Sequence, residues 1–156
     1  MRLHALVLIL LLAGGPAFGQ TSTCTASASA TNFGTYSPTS PSALDGTGNV
    51  QVSCSLLGVI SILVSYQIQL SAGTSGSSAS RTLSGPGASL NYNLYTNVSR
   101  TAIWGDGSGG TSTVSDGYLL GLLTTAKNYP VYGRIVAGQN VPPGSYSDTI
   151  VVTVNY

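Results

Sequence analysis

Side chains that do chemistry are scarce in this chain, and where they occur their spacing points to turns. His4 is the single histidine, Glu is absent, and the bases left for a serine nucleophile are Lys127 and four Asp residues. A serine needs such a base within hydrogen-bond reach, oriented in turn by a third group. Asp45, Asp106 and Asp116 are instead each followed by Gly, which is ordinary turn chemistry. A carboxylate pair of the kind that hydrolyses glycosides is the other use for such residues. Turn aspartates are the simpler reading, so the sequence points to no enzyme, no catalytic residue and no cofactor.

The Asp106-Gly107-Ser108-Gly109-Gly110 loop has the glycines of a calcium loop but lacks the terminal bidentate Glu and the alternating acidic ligands. It reads as an uncharged surface loop, and no metal site is expected. Trp104 and the nine Tyr residues could stack against sugars. Aromatics in a strand-rich chain more often pack across strands or in the core. Asn97-Val98-Ser99 has the glycosylation pattern, which arises often by chance and carries no weight.

Met1 to Gly19 reads as a secretory signal peptide: Arg2 is the positive start, Leu6 to Leu12 the apolar core, and Ala17-Phe18-Gly19 the cleavage site. The expected exported chain begins at Gln20. The apolar run is too short to span a bilayer, and no later stretch is long enough. Cys24 and Cys54 are the only cysteines, and an even count in an oxidising compartment implies a disulfide. Closing a loop of about thirty residues stabilises a fold by roughly 3–4 kcal/mol on the chain-entropy model. Two Cys alone do not fill a tetrahedral zinc site.

Charged residues make up 6% of the chain and the net charge is +1. Nucleic acid and anionic lipid both demand basic patches, so neither is an expected partner. The surface is to be covered by Ser, Thr, Asn, Gln and Gly. Low charge with alternating apolar strands suits a protein that assembles.

Residues 20–156 make one domain of sandwich size. Cys24 to Ala30 reads as a short first strand, followed by Asn32-Phe33-Gly34-Thr35-Tyr36 and a proline-marked loop. Val50, Val52 and Cys54 alternate in the next strand, and Ile62, Val64, Tyr66, Ile68 and Leu70 in a longer one. Ser71 to Ser80 is small and polar, a flexible connection. Leu90, Tyr92 and Leu94 begin another strand with Asn91 and Asn93 facing outward. Tyr118 to Thr125 is more continuously apolar and is expected deep between two sheets. Val131, Gly133, Ile135 and Ala137 alternate against Tyr132 and Arg134. Pro142-Pro143-Gly144 turns into a final strand from Ser145 to Tyr156, with Tyr146, Ile150, Val152, Val154 and Tyr156 on one face. Short strands of period two between turn signals predict an all-β fold, an antiparallel β-sandwich. The last strand has nothing after it to cover its far side, so that edge must be paired, blunted or offered to another molecule.

Taken in order and spacing, several of these pieces resemble the spore coat protein U domain family, which includes subunits of archaic chaperone–usher pili. The resemblance covers essentially all of the exported chain. Its carriers are Cys24 with Phe33-Gly34-Thr35-Tyr36, Cys54 after its alternating strand, Leu90-Asn91-Tyr92-Asn93-Leu94-Tyr95 and Trp104-Gly105-Asp106-Gly107. The most specific block is Tyr132-Gly133-Arg134-Ile135, Gly138-Gln139, Pro143 to Thr149 and Val152 to Tyr156. The resemblance implies an immunoglobulin-like sandwich lacking its last strand. The groove left would be filled first by a periplasmic chaperone strand and then by the next subunit, a form of strand addition. Ile150, Val152, Val154 and Tyr156 are the residues expected to border it.

One departure concerns donation. Gln20 to Thr23 would be all that precedes Cys24, and none of the four is apolar. The chain is therefore expected to accept a strand but not to donate one. The function expected is an exported, non-enzymatic subunit of a surface pilus or spore-coat-like assembly. Its partners would be a periplasmic chaperone, an outer-membrane usher and other subunits. The alternative is a tip adhesin or carbohydrate-binding module.

Overall fold

The computed structural model describes residues 21–57, 62–120 and 124–156. The expected signal peptide, residues 1–19, lies outside them. Among the described residues eight strands follow one another: β1 (Thr21–Asn32), β2 (Leu44–Leu57), β3 (Ile62–Leu70), β4 (Arg81–Gly85), β5 (Ala88–Tyr95), β6 (Val114–Leu120), β7 (Thr125–Ile135) and β8 (Val152–Asn155). A 3-10 turn, Gly73–Ser75, follows β3. All named pairings are antiparallel. They build one sheet in the order β1-β2-β7-β5-β4 and a second in the order β6-β3-β8. The fold is therefore the all-β antiparallel sandwich that the alternation predicts.

The period of two decides which side chains meet between the sheets. Val50, Val52 and Cys54 of β2, Leu90, Tyr92 and Leu94 of β5, and Val131 and Ile135 of β7 face Val64, Tyr66, Ile68 and Leu70 of β3 across the core. Trp104 is 0% exposed and donates its indole N–H to the Ile68 carbonyl at 3.1 Å. It belongs to the core and is not available to stack on a sugar.

Four expectations change. Strand β1 runs from Thr21 to Asn32 rather than from Cys24 to Ala30, and Thr21, Ser22 and Thr23 pair with Leu57, Leu56 and Ser55. The polar residues ahead of Cys24 are thus part of the ladder, as far as Thr21. The Tyr118–Thr125 stretch does not lie deep throughout: Tyr118 to Leu120 end the edge strand β6, and Leu119 is 68% exposed beside Leu63, its β3 partner. Residues 121–123 of that stretch lie outside the described ones. Asn93 points outward by alternation yet is 6% exposed, because it bonds the Ala79 carbonyl and the Arg81 guanidinium. Finally, the run from Ser145 to Tyr156 is not one strand. Ser147 bridges to Ser84 of β4 in the larger sheet, and only Val152–Asn155 pairs with β3 in the smaller one.

The sandwich is held shut along one side. On β6, Asp116 accepts two bonds from the Lys127 ammonium of β7, at 3.0 and 2.9 Å, and one from the Tyr129 hydroxyl at 2.8 Å. Tyr129 in turn meets the Tyr66 hydroxyl of β3. The Lys127 bond, then those from Tyr129 and the Gly117 N–H, hold the Asp116 carboxyl below its ordinary range. Both sheets are tied together here, at the edge away from β8.

Candidate functional site: the groove between β1 and the terminal segment

The opposite side is open because its wall is made of small residues. Cys24, Ala26 and Ala28 lie in register with Cys54, Val52 and Val50, so β1 turns only a disulfide and methyl groups toward the core. Ala28 and Ala30 form one wall of a groove of about 1090 Å³, and the segment from Pro142 to Val152 forms the other. Its floor is the core itself: Val50, Leu90 and Ile135 reach it although they are only 1–2% exposed. Asp148 is the single charged residue lining it. Among the described residues, β1 has no strand partner except β2, and β8 none except β3. Two unpaired strand edges therefore flank an apolar cleft.

The terminal segment is pinned at three points as it passes between sheets. Ser147 and Ser84 exchange backbone bonds of 2.8 and 3.0 Å. Asp148 accepts from the Tyr92 hydroxyl at 2.8 Å, from the Thr74 N–H at 2.9 Å and from the Thr74 hydroxyl at 3.0 Å. Burial, and then the bond to Asp148, push the Tyr92 phenol well above its ordinary range. Val151 receives the Ser71 N–H at its carbonyl, 3.0 Å, and donates its own N–H to the Ser71 hydroxyl at 2.9 Å.

Ser71 is held by a buried cation. Arg81 is 0% exposed, and its guanidinium donates to the carbonyls of Ser71 (2.7 and 3.0 Å), Trp104 (2.9 Å) and Ser78 (3.1 Å) and to the Asn93 side-chain oxygen (2.7 Å). Burial lowers its pKa from the ordinary value, with the charges of Tyr92, Asp148 and Asp106 opposing. Arginine remains a cation even so. A buried charge without a carboxylate is tolerable only when its donors are all matched, and the fan of carbonyls does that here. The Ser71–Ser80 connection is therefore an ordered socket for Arg81, not a loose linker.

Among the residues expected to act, Cys24 and Cys54 are joined in a disulfide between neighbouring strands. Ile150 and Val152 line the groove. Val154 pairs with Ile68 and packs on the core without lining it. Tyr156 stands past the end of β8, 60% exposed, and is not among the lining residues. Phe33, Tyr36, Tyr92, Tyr146 and Asp148, which the sequence did not single out for the groove, all line it. The Asp106 loop closes on itself, its carboxylate accepting from the Ser108 N–H and hydroxyl at 3.0 and 2.7 Å. Asp45 is engaged by Arg134 at 2.7 and 2.9 Å on the outer face of the larger sheet.

Residues 17–153 match the model of the Spore Coat Protein U domain. Protein U of Myxococcus xanthus is 36% identical over 132 residues, spanning 80% of this chain and 70% of that protein. Among solved structures, the fold is similar to one in the CsuC–CsuE chaperone–tip adhesion subunit pre-assembly complex of archaic chaperone–usher Csu pili from Acinetobacter baumannii. The TM-score is 0.57 at 22% identity, over 87% of this chain. The match spans 40% of the other chain's length, so it speaks for the fold alone. No helix among the described residues is long and apolar enough to cross a membrane. On the extent of the family match and the identity to Protein U, the chain belongs to the Spore Coat Protein U domain family.

Proposed function

We propose that this protein is an exported structural subunit of a bacterial surface pilus or coat, and that its groove accepts an extended strand from a chaperone or a neighbouring subunit. The observation that carries the reading is the apolar cleft flanked by the unpaired edges of β1 and the terminal segment. A strand laid there would take main-chain hydrogen bonds from a free edge and place alternate side chains over the core. Membership of the family and the fold shared with a chaperone-bound pilus subunit support it. In this reading residues 1–19 direct export and residues 20–156 form the assembling domain. A periplasmic chaperone, an outer-membrane usher and other subunits are the partners, and the cell surface is the destination.

The test is the mass of the exported protein, purified alone and with a candidate chaperone taken from a neighbouring reading frame. A one-to-one complex is expected, with the β8 amides gaining protection from hydrogen exchange. A protein that stays monomeric and captures neither a chaperone nor an alternating apolar peptide overturns the reading.

A further inference from the structure

Where β1 stops, part of the way along the groove, the inner face of the larger sheet has a bare patch. Gly46 of β2 and Gly133 of β7 are register partners there, with Gly48 two residues along. None of the three has a left-handed φ, so backbone conformation does not call for glycine. Space does. A methyl on Gly133 would lie 2.6 Å from the Phe33 ring and 2.7 Å from the Thr31 methyl; one on Gly46 would lie 2.9 Å from the same ring. A methyl on Gly48 would meet the Thr31 hydroxyl at 2.6 Å. Phe33 thus occupies the volume that the missing side chains of Gly46 and Gly133 leave, and Thr31 takes the space at Gly48.

Its aim is set locally. Gly34 takes φ 74°, and its N–H donates to the Asn32 side-chain oxygen at 3.0 Å, which turns the chain immediately past Phe33. The ring ends edge-on to Tyr92, centroids 5.9 Å apart, in the geometry aromatic pairs prefer. Upstream the relation is reversed. Ala28 lies opposite Val50, and there the groove stays open. Small residues over valines leave room for a guest; a phenylalanine over glycines leaves none.

We propose that Phe33 is a built-in stop that closes the groove to side chains at one position. The guest is an uncharged, alternating strand of a partner protein whose apolar side chains lie over Val50 and Val131 and leave out the position over Gly46 and Gly133. The partner is uncharged because the lining offers one carboxylate, Asp148, already bonded to Tyr92 and Thr74. This inference rests on the groove being a strand acceptor, as proposed above.

The probe is a synthetic peptide of alternating valine and threonine, longer than the groove and carrying lysines beyond both ends for solubility. Its affinity is measured by calorimetry, and its methyl contacts are mapped by NMR on the disulfide-bonded protein. Valine methyls are expected to contact Val50 and Val131 and none to contact Gly46 or Gly133. Phe33→Ala is expected to gain contacts at Gly133 and to bind about tenfold tighter, the worth of one more buried valine. If Phe33→Ala does not fold, Phe33→Leu carries the test, with a gain of about threefold. Native protein whose peptide reaches Gly133 with Phe33 displaced, or a variant that binds no tighter, overturns the stop. A peptide that binds neither native protein nor variant overturns the groove reading and the stop with it.

Discussion

The hydroxyl of Tyr92 donates to Asp148 across 2.8 Å, joining the middle of β5 to the segment that walls the groove. The donor sits in the core and the acceptor on the last stretch of chain, so this bond helps to set how far that wall stands from the floor. Tyr92→Phe keeps the ring's packing on Phe33 and loses this bond alone. It should cost about 1–2 kcal/mol in urea unfolding. Strand capture should weaken as well, measured with the same alternating peptide. An unchanged unfolding midpoint would remove the bond from the account.

Arg81 should matter more than any charge on the surface. Arg81→Met leaves the carbonyls of Ser71, Ser78 and Trp104 without their donor and should cost roughly 3–5 kcal/mol. Arg134→Ala breaks an exposed pair with Asp45 and should cost about 1 kcal/mol or less. Arg81→Lys should rescue little, since an ammonium cannot present a planar fork of donors to acceptors spread over two loops and a strand. Denaturant curves for the three variants rank them.

Removing the disulfide should loosen β1 selectively. Cys24→Ser with Cys54→Ser is expected to lose about 2–4 kcal/mol. Amides of Thr25 to Asn32 should exchange faster than those of β7, because β1 is an edge strand whose inward residues offer little to bury. Two alkylatable thiols in periplasmically expressed native protein would contradict the pairing.

Val152→Asp and Thr153→Asp separate the two faces of the last strand. Val152 lines the groove and packs on the core, whereas Thr153 is exposed. A carboxylate at 152 should impair folding and chaperone capture together; one at 153 should do neither. Pull-down with a candidate chaperone, beside a thermal melt, distinguishes them.

The Asp116–Lys127 pair predicts the shape of the pH profile. The folded Asp116 pKa lies below its unfolded value, so its contribution is present above the unfolded pKa and is lost as pH falls through the folded one. Stability should therefore decline below about pH 4. The Lys127 pKa is raised, first by its bond to Asp116, so its contribution is lost as pH rises through the folded value, above about pH 10. Asp116→Asn should flatten both limbs, as read from melting temperatures across pH.

What the sequence made legible was faces, and what it hid was partners. Alternation placed Val50, Val52 and Cys54, the β3 residues and Val131 to Ile135 correctly, because period two reports burial directly. The same alternation ran unbroken from Ser145 to Tyr156 and so predicted one strand. The break arises because Ser147 pairs with β4 and Val152 with β3, and a side-chain pattern is silent about which neighbour takes the backbone. Asn93 was misplaced for a related reason: it lies on the outward phase, and the residues that cover it come from a loop whose order depends on Arg81. Phe33 carried no groove signal because the glycines that receive it are Gly46 and Gly133, on two other strands.

The cross-link between Cys24 and Cys54 also settles where mechanical load travels. A pull on the chain ahead of Cys24 and behind Cys54 passes through the sulfurs, and the loop between them, with a sequence separation of 30, stays slack. That loop contains Ala28 and Ala30, Phe33 and Val50, the wall, the stop and part of the floor of the groove. Tension in a fibre built from such subunits can tear hydrogen bonds elsewhere, but it cannot unthread these residues without first breaking a covalent bond.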